Sequence, residues 1–166
     1  MAAQYTIRES TKADAYWVAS RLREEDQEEI EASGCDPLDT LLRGVEQSYV
    51  CITACVANPE TGRMEPAVMF GAGEVTGESE VACPWMLCTD LINGLGLAIV
   101  RESRKWVKTM GKVFPVLTNY VYMENHQALR WLQMMGFSFP DPPVHHAVTG
   151  ERFLRFEMRK DEPCAE

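Results

Sequence analysis

Histidine, positive charge and long apolar stretches are all scarce in this chain. Three His stand at 126, 145 and 146, and 16 Lys and Arg face 25 Asp and Glu, for a formal net charge of −9. Nucleic-acid binders neutralise phosphates with clustered Lys and Arg, and anionic lipid surfaces attract the same residues, so neither partner is expected. No run reaches the roughly 18 apolar residues that a membrane-crossing helix needs, and no basic stretch followed by an apolar one opens the sequence. The six cysteines, at 35, 51, 55, 83, 88 and 164, include no Cys-x-x-Cys pair. With so few histidines they offer no ligand pairs at zinc spacing, and no metal site is expected. These absences together predict a reduced, cytoplasmic protein.

What is present suits one globular domain. The 166 residues are 46% hydrophobic and 25% charged, enough apolar surface for a sizeable core. The domain is expected over 1–160, with 161–166 as a flexible tail. Tyr5 to Arg8 reads as a short strand. Ser10 or Thr11 then caps a helix whose apolar face is Ala15, Val18, Ala19 and Leu22. The carboxylate run Glu24, Glu25, Asp26, Glu28, Glu29 and Glu31 reads first as a solvated helix face, and second as an attractor for a cationic amine. Asp36-Pro37 opens a further helix that buries Leu38, Leu41, Leu42 and Val45.

Strands follow at Tyr49 to Ala57, Pro66 to Val75 and Val81 to Thr89, separated by the turn residues Asn58 to Gly62 and Thr76 to Glu78. Pro84 has no N–H to give a ladder, so a bulge or bend is predicted beside it. After Asn93-Gly94-Leu95-Gly96 the period becomes helical, with Leu97, Val100, Arg104, Val107 and Met110 on one side and Gly111 as the stop. Pro115 to Tyr122 is a strand. Asn125 caps a helix with Ala128, Trp131, Leu132 and Met135 inward and Gly136 at its end. Phe137 to Phe139 begins another strand, and Phe153 to Met158 is the last. The order β-α-α-β-β-β-α-β-α-β-β predicts a mixed sheet with helices on its faces.

The segment Asn125-His126-Gln127-Ala128, ending at Gly136-Phe137, resembles the last motif of the GNAT (Gcn5-related) acyltransferases. In that family an Asn opens the helix, an Ala sits three residues on and a Gly-Phe pair closes it. The resemblance implies the acyl-CoA N-acyltransferase fold: a mixed, twisted sheet of about seven strands flanked by about four helices. It also implies that acetyl-CoA or another acyl-CoA binds, with a small amine or a protein amine as acceptor. The family's pyrophosphate loop, Gln/Arg-x-x-Gly-x-Gly/Ala, is matched by Gly94 and Gly96, with Leu91 in place of the polar residue. Bare glycines and the open amides of a helix start admit a phosphate. On this basis Asn93, Gly94, Leu95, Gly96 and Leu97 would hold the pyrophosphate. The backbone of Trp85, Met86, Leu87 and Cys88 would polarise the thioester, and Asn125 would orient the pantetheine arm or the helix that packs it.

The catalytic Tyr that the family places on the last-motif helix is Leu132 here, and a leucine donates no proton. Cys88, Tyr120 and Tyr122 are the substitutes that the sequence offers. His145 or His146 could serve as a base for an amine. Trp85 with Thr89-Asp90, Asn119-Tyr120-Val121, Asn125 and Gly136 further resembles a small group of phage and prophage GNAT-like virion or virion-assembly proteins. That likeness implies a non-enzymatic alternative, with a phage or host protein as partner. Enzyme and assembly protein both stand at this stage.

Overall fold

The computed structural model describes residues 4–160; the expected tail lies outside them. Seven strands are formed among the described residues, β1 (Tyr5–Glu9), β2 (Ser48–Ala57), β3 (Met64–Val75), β4 (Glu78–Cys88), β5 (Val116–Tyr122), β6 (Val144–His145) and β7 (Arg152–Arg159). They form one sheet in the order β1-β2-β3-β4-β5-β7-β6. Every pairing is antiparallel except β4 with β5. Five helices accompany them: α1 (Lys12–Ala19), α2 (Glu24–Ala32), α3 (Pro37–Gln47), α4 (Leu97–Val113) and α5 (His126–Met135). A 3-10 turn over Asp90–Leu95 precedes α4. Among the described residues no helix is long and apolar enough to cross a membrane.

Local chemistry explains most boundaries. Thr11 and Asp14 form a reciprocal capping box at the start of α1. Asp36 caps α3 and Pro37 opens it. Asn125 caps α5 through a bond from the Ala128 N–H, and Gly136 closes that helix at φ +94°, where only glycine sits without strain. Three departures from expectation are instructive. The carboxylate run makes a helix of its own. The Phe137 segment contributes only a bridge from Ser138 to Glu157, and the short strand comes later, at Val144–His145. Helix α4 passes through Gly111 to Val113, held by the buried Val107, Met110 and Phe114.

The sheet is covered on both faces. Cys51, Met69 and Leu87 pack under α1, α2 and α3 with Ala15, Val18, Ile30 and Leu41. Phe70, Cys88 and Leu95 lie on the opposite face, where Ala72, Ala82 and Leu117 meet α4 and α5 through Val107, Met110 and Met135. Trp85 lies over its cross-strand glycine partner Gly71 and reaches α3 at Gly44. A Cβ on Gly44 would come within 2.6 Å of the indole, and one on Gly71 within 2.8 Å. Gly44→Ala is therefore expected to lower stability by about 1–3 kcal/mol, the usual cost of overpacking, read as a lower urea midpoint at unchanged slope.

Pro84 is not bulged. It sits in register opposite Ala72, and the alternation of the strand turns its missing N–H away from β3, toward β5. Strand β5 pairs with β4 only at Val81 with Val116 and Ala82 with Leu117. The proline thus falls where the two parallel strands have just parted, and no ladder bond is lost.

Candidate active site

The parting of β4 and β5 opens the sheet, and a cavity of about 950 Å³ occupies the gap. Asn119 marks its beginning, its side-chain amide donating to the Pro84 carbonyl at 3.0 Å. At the far end α2 closes it. The Cys88 N–H donates to Asp26 Oδ2 at 2.8 Å, and the Arg23 N–H donates to the Cys88 carbonyl at 3.0 Å. Pro84 and Cys88 both face the gap, so the period-2 rule aims the N–H and C=O of Met86 into it between them. Met86 lines the cavity. It is the β4 residue whose backbone could polarise a carbonyl placed there.

Two carboxylates of α2 enter this space. Asp26 and Glu29, with Ile30 beside them, share one helix face at three- and four-residue spacing. Asp26 is paired with the guanidinium of Arg23. Glu29 accepts from the Asn125 side-chain amide at 2.8 Å and lies in the cavity lining. Burial pushes its carboxyl up to about 7, although the Asn125 amide and the Tyr122 main-chain N–H favour the ionised form. A carboxyl at that value ionises near neutrality and can take a proton from an incoming nucleophile. The sequence offers two readings of this charge run, a solvated helix face or an attractor for a cationic amine, and singles out neither residue. The signal that distinguishes them is the apolar Ile30 adjoining Asp26 and Glu29 on one face, which turns that face inward.

The other anticipated residues fall in different places. Tyr120 lines the cavity and is 49% exposed. Tyr122 donates to Glu151 at 3.0 Å on an exposed edge and is not part of the lining. The Cys88 thiol is fully buried on the far sheet face, and burial and Asp26 push it well above the usual thiol range. It stays neutral and out of reach, which removes it as an acid or nucleophile. Leu87 packs in the core beneath α1, α2 and α3 and also lines the cavity, on the same sheet face as Trp85. Leu132 lines the cavity as an apolar wall, with Ala128 and Trp131 from α5 and Ser103, Trp106 and Val107 from α4. Trp106 carries a buried Nε1–H that has no hydrogen-bond partner among the described residues. Asn125 is 2% exposed, and both ends of its side chain are engaged, by Ala128 and by Glu29.

His146 lines the same cavity, but its Nδ1 accepts from the N–H groups of Val148 and Thr149 at 3.3 and 3.2 Å. The neutral ring then carries its proton on Nε2 and acts as a donor there; His145, the other candidate base, is exposed and also lines the cavity. Outside the cavity lining, in the turn that leads into α4, Leu91 and Ile92 pack against the core and Leu95 is buried, while Asn93 and Gly94 are exposed. Gly96 is the N-cap of α4 at φ +51°, and Leu97, 86% exposed, begins the helix. No side chain caps α4 and no acid stands in its first turn. Its positive end and open amides are thus available to an anion.

No protein-family model matches the chain, and no curated protein matches it. Solved structures do. A GNAT-family acetyltransferase from Bacillus anthracis superposes with a TM-score of 0.68 at 12% identity, over 98% of each chain. A protein described as a putative phosphinothricin N-acetyltransferase gives 0.65 at 15% identity, over 96% of this chain and 100% of its own. An aminoglycoside acetyltransferase solved in complex with coenzyme A gives 0.64 at 16% identity, over 94% and 95%. The chain has the fold of the GNAT acetyltransferases.

Proposed function

We propose that this protein is an acyl-CoA-dependent N-acyltransferase in which Glu29 is the general base. The observation that carries the reading is the opened β4–β5 gap, where the Met86 N–H and the Glu29 carboxylate line one cavity. Coenzyme A in the complexed neighbour supports the donor. Acyl-CoA supplies the acyl group as a thioester. Met86 N–H would donate to its carbonyl oxygen and stabilise the charge that develops there. The acceptor nitrogen attacks the carbonyl carbon, the C–N bond forms and the C–S bond breaks. Glu29 takes the proton from nitrogen, and the Tyr120 hydroxyl or water protonates the departing sulfur. Positioning by the walls of the gap supplies much of the remaining acceleration.

The residues present fit the donor. Ser103, Trp106 and Val107 on α4 face Ala128, Trp131 and Leu132 on α5 across an apolar passage suited to a pantetheine arm. For the pyrophosphate, the proposal sets the family pattern two residues later, at the start of α4. Gly96, the N-cap, and Ala98 take the Gly-x-Gly/Ala places, and exposed Asn93 takes the polar place otherwise given to the core residue Leu91. Gly94 stays beside this site, and its Cβ position meets only Val56, at 3.8 Å. Gly94→Glu should therefore fold and repel the phosphates. Calorimetry with acetyl-CoA checks this: micromolar to millimolar binding in the wild type and at least tenfold weaker binding in Gly94→Glu. No heat from the wild type at millimolar acetyl-CoA ends the proposal.

At the level of sequence, two departures from the family pattern, Leu91 and Leu132, also favour the virion-assembly alternative. Leu91 is a packing residue and Leu132 an apolar wall of an open passage, so neither now requires a non-catalytic role. The neighbours named above carry acetyltransferase descriptions, and that alternative has no support beyond the motifs that suggested it.

A further inference from the structure

The acceptor side of the cavity is built from donors. On α3, Thr40, Arg43, Gly44 and Gln47 recur at helical spacing, and all four line the cavity. Arg43 makes no ion pair among the described residues; Lys12 and Glu46 pair with each other close by, outside the lining. Across from α3, the loop after β6 brings in His146, whose proton is fixed on Nε2 by the two backbone bonds to Nδ1. Thr149 Oγ1 anchors that loop to the Ala32 carbonyl of α2 at 2.6 Å. Trp85 supplies the apolar wall between them, its Nε1–H engaged by Ser48 at 3.0 Å.

Against these donors stands, among the described residues, a single available carboxylate, Glu29. Asp26 is occupied by Arg23 and the Cys88 amide. Glu74 also lines the cavity, but strand alternation puts it on the sheet face opposite Gly71 and Gly73, toward α4. The remaining acids of α2, Glu24, Glu25, Glu28 and Glu31, lie outside the lining. A polycation would need several carboxylates in this space and would meet an unpaired Arg43. An acceptor with one amine at Glu29 and one anionic group at Arg43 satisfies both ends.

Resting on the acyltransferase reading, we infer that the acceptor is a zwitterionic monoamine of the amino-acid class. Its amine would be directed to Glu29, its carboxylate would be held by Arg43 with the His146 Nε2–H beside it, and its apolar body would lie along Trp85. A guanidinium with a carboxylate makes paired, charge-assisted hydrogen bonds, which a neutral amide cannot match.

The test compares L-phenylalanine, L-phenylalaninamide and spermidine, with binding read by calorimetry and turnover by thiol release from acetyl-CoA. Phenylalanine is expected to bind at least tenfold tighter than its amide, with spermidine weaker than both. In Arg43→Gln, which should melt with the wild type, the preference for phenylalanine over the amide should collapse to within about twofold. Equal affinity for acid and amide, a preference for spermidine, an undiminished preference in Arg43→Gln, or no heat with phenylalanine would each overturn the inference. Loss of acetyl-CoA binding would instead strike the acyltransferase reading itself. Acetyl-CoA binding without a carboxylate preference would leave that reading intact and remove only the acceptor class.

Discussion

Glu29→Gln is expected to lower kcat/KM by about 10²- to 10⁴-fold, the usual contribution of a positioned general base. The pH profile separates this role from a structural one. Wild-type kcat/KM should rise with pH through about 7, where the Glu29 carboxyl ionises, and level off above it; the variant should lack that inflection. Stability should move the other way. A carboxyl held at about 7 in the fold, against about 4.3 in an unfolded chain, binds its proton more tightly when native. The contribution of Glu29 to stability therefore falls as pH rises from about 4.3 to 7 and is smallest above that range. A neutral glutamine escapes this loss and can still accept from the Asn125 amide. The variant should thus melt at or above the wild-type temperature at pH 8 while losing activity. A variant that is both active and free of the inflection would remove Glu29 from the reaction.

The fold was readable because its signals are local. Caps at Thr11, Asp36 and Asn125, the stop at Gly136 and the switch of period after Gly96 each follow from a few neighbouring residues. The Asn125 to Gly136 motif joined them to one architecture. The site was less readable because its meaning depends on what lies across the sheet. Cys88 reads as an available thiol until β4 turns it toward Leu95 and Phe70. Glu29 reads as one acid among six until α2 lies over the gap and Asn125 meets it from another helix, 96 residues away in sequence. Pro84 shows the same limit: a proline in a strand predicts a defect, and only the parting of β5 makes it harmless. Glycine spacing alone does not say which of Gly94 and Gly96 begins the helix; the fold makes Gly96 the N-cap of α4.

Asp26→Ala is expected to be the most destabilising single change at this site. Asp26 is 3% exposed, its Oδ1 accepts from Arg23 Nη2 at 3.0 Å and its Oδ2 lies 2.9 Å from Arg23 Nε. The same Oδ2 takes the Cys88 N–H. Burial pushes the Asp26 carboxyl up, opposed by Arg23 and by that amide. Alanine would leave the guanidinium, whose side chain is only 12% exposed, without its counter-charge, and the Cys88 N–H without an acceptor. Removing one member of a buried pair costs about 3–5 kcal/mol. For a chain of this size that lowers Tm by about 6–20 °C. The double change Arg23→Met with Asp26→Leu removes both charges and fills similar volume, and should recover most of the loss, because a buried pair contributes little net stability against apolar packing. The Cys88 amide still lacks its acceptor there, so recovery should fall short by about 1–3 kcal/mol. Thermal melts of the three proteins at pH 7 decide it. If Asp26→Ala melts within 2 °C of the wild type, the pair does not hold α2 over the gap. Recovery in the double variant with activity still low would show that the Asp26 contact to β4 keeps Met86 aligned, a positioning role apart from the chemistry of Glu29.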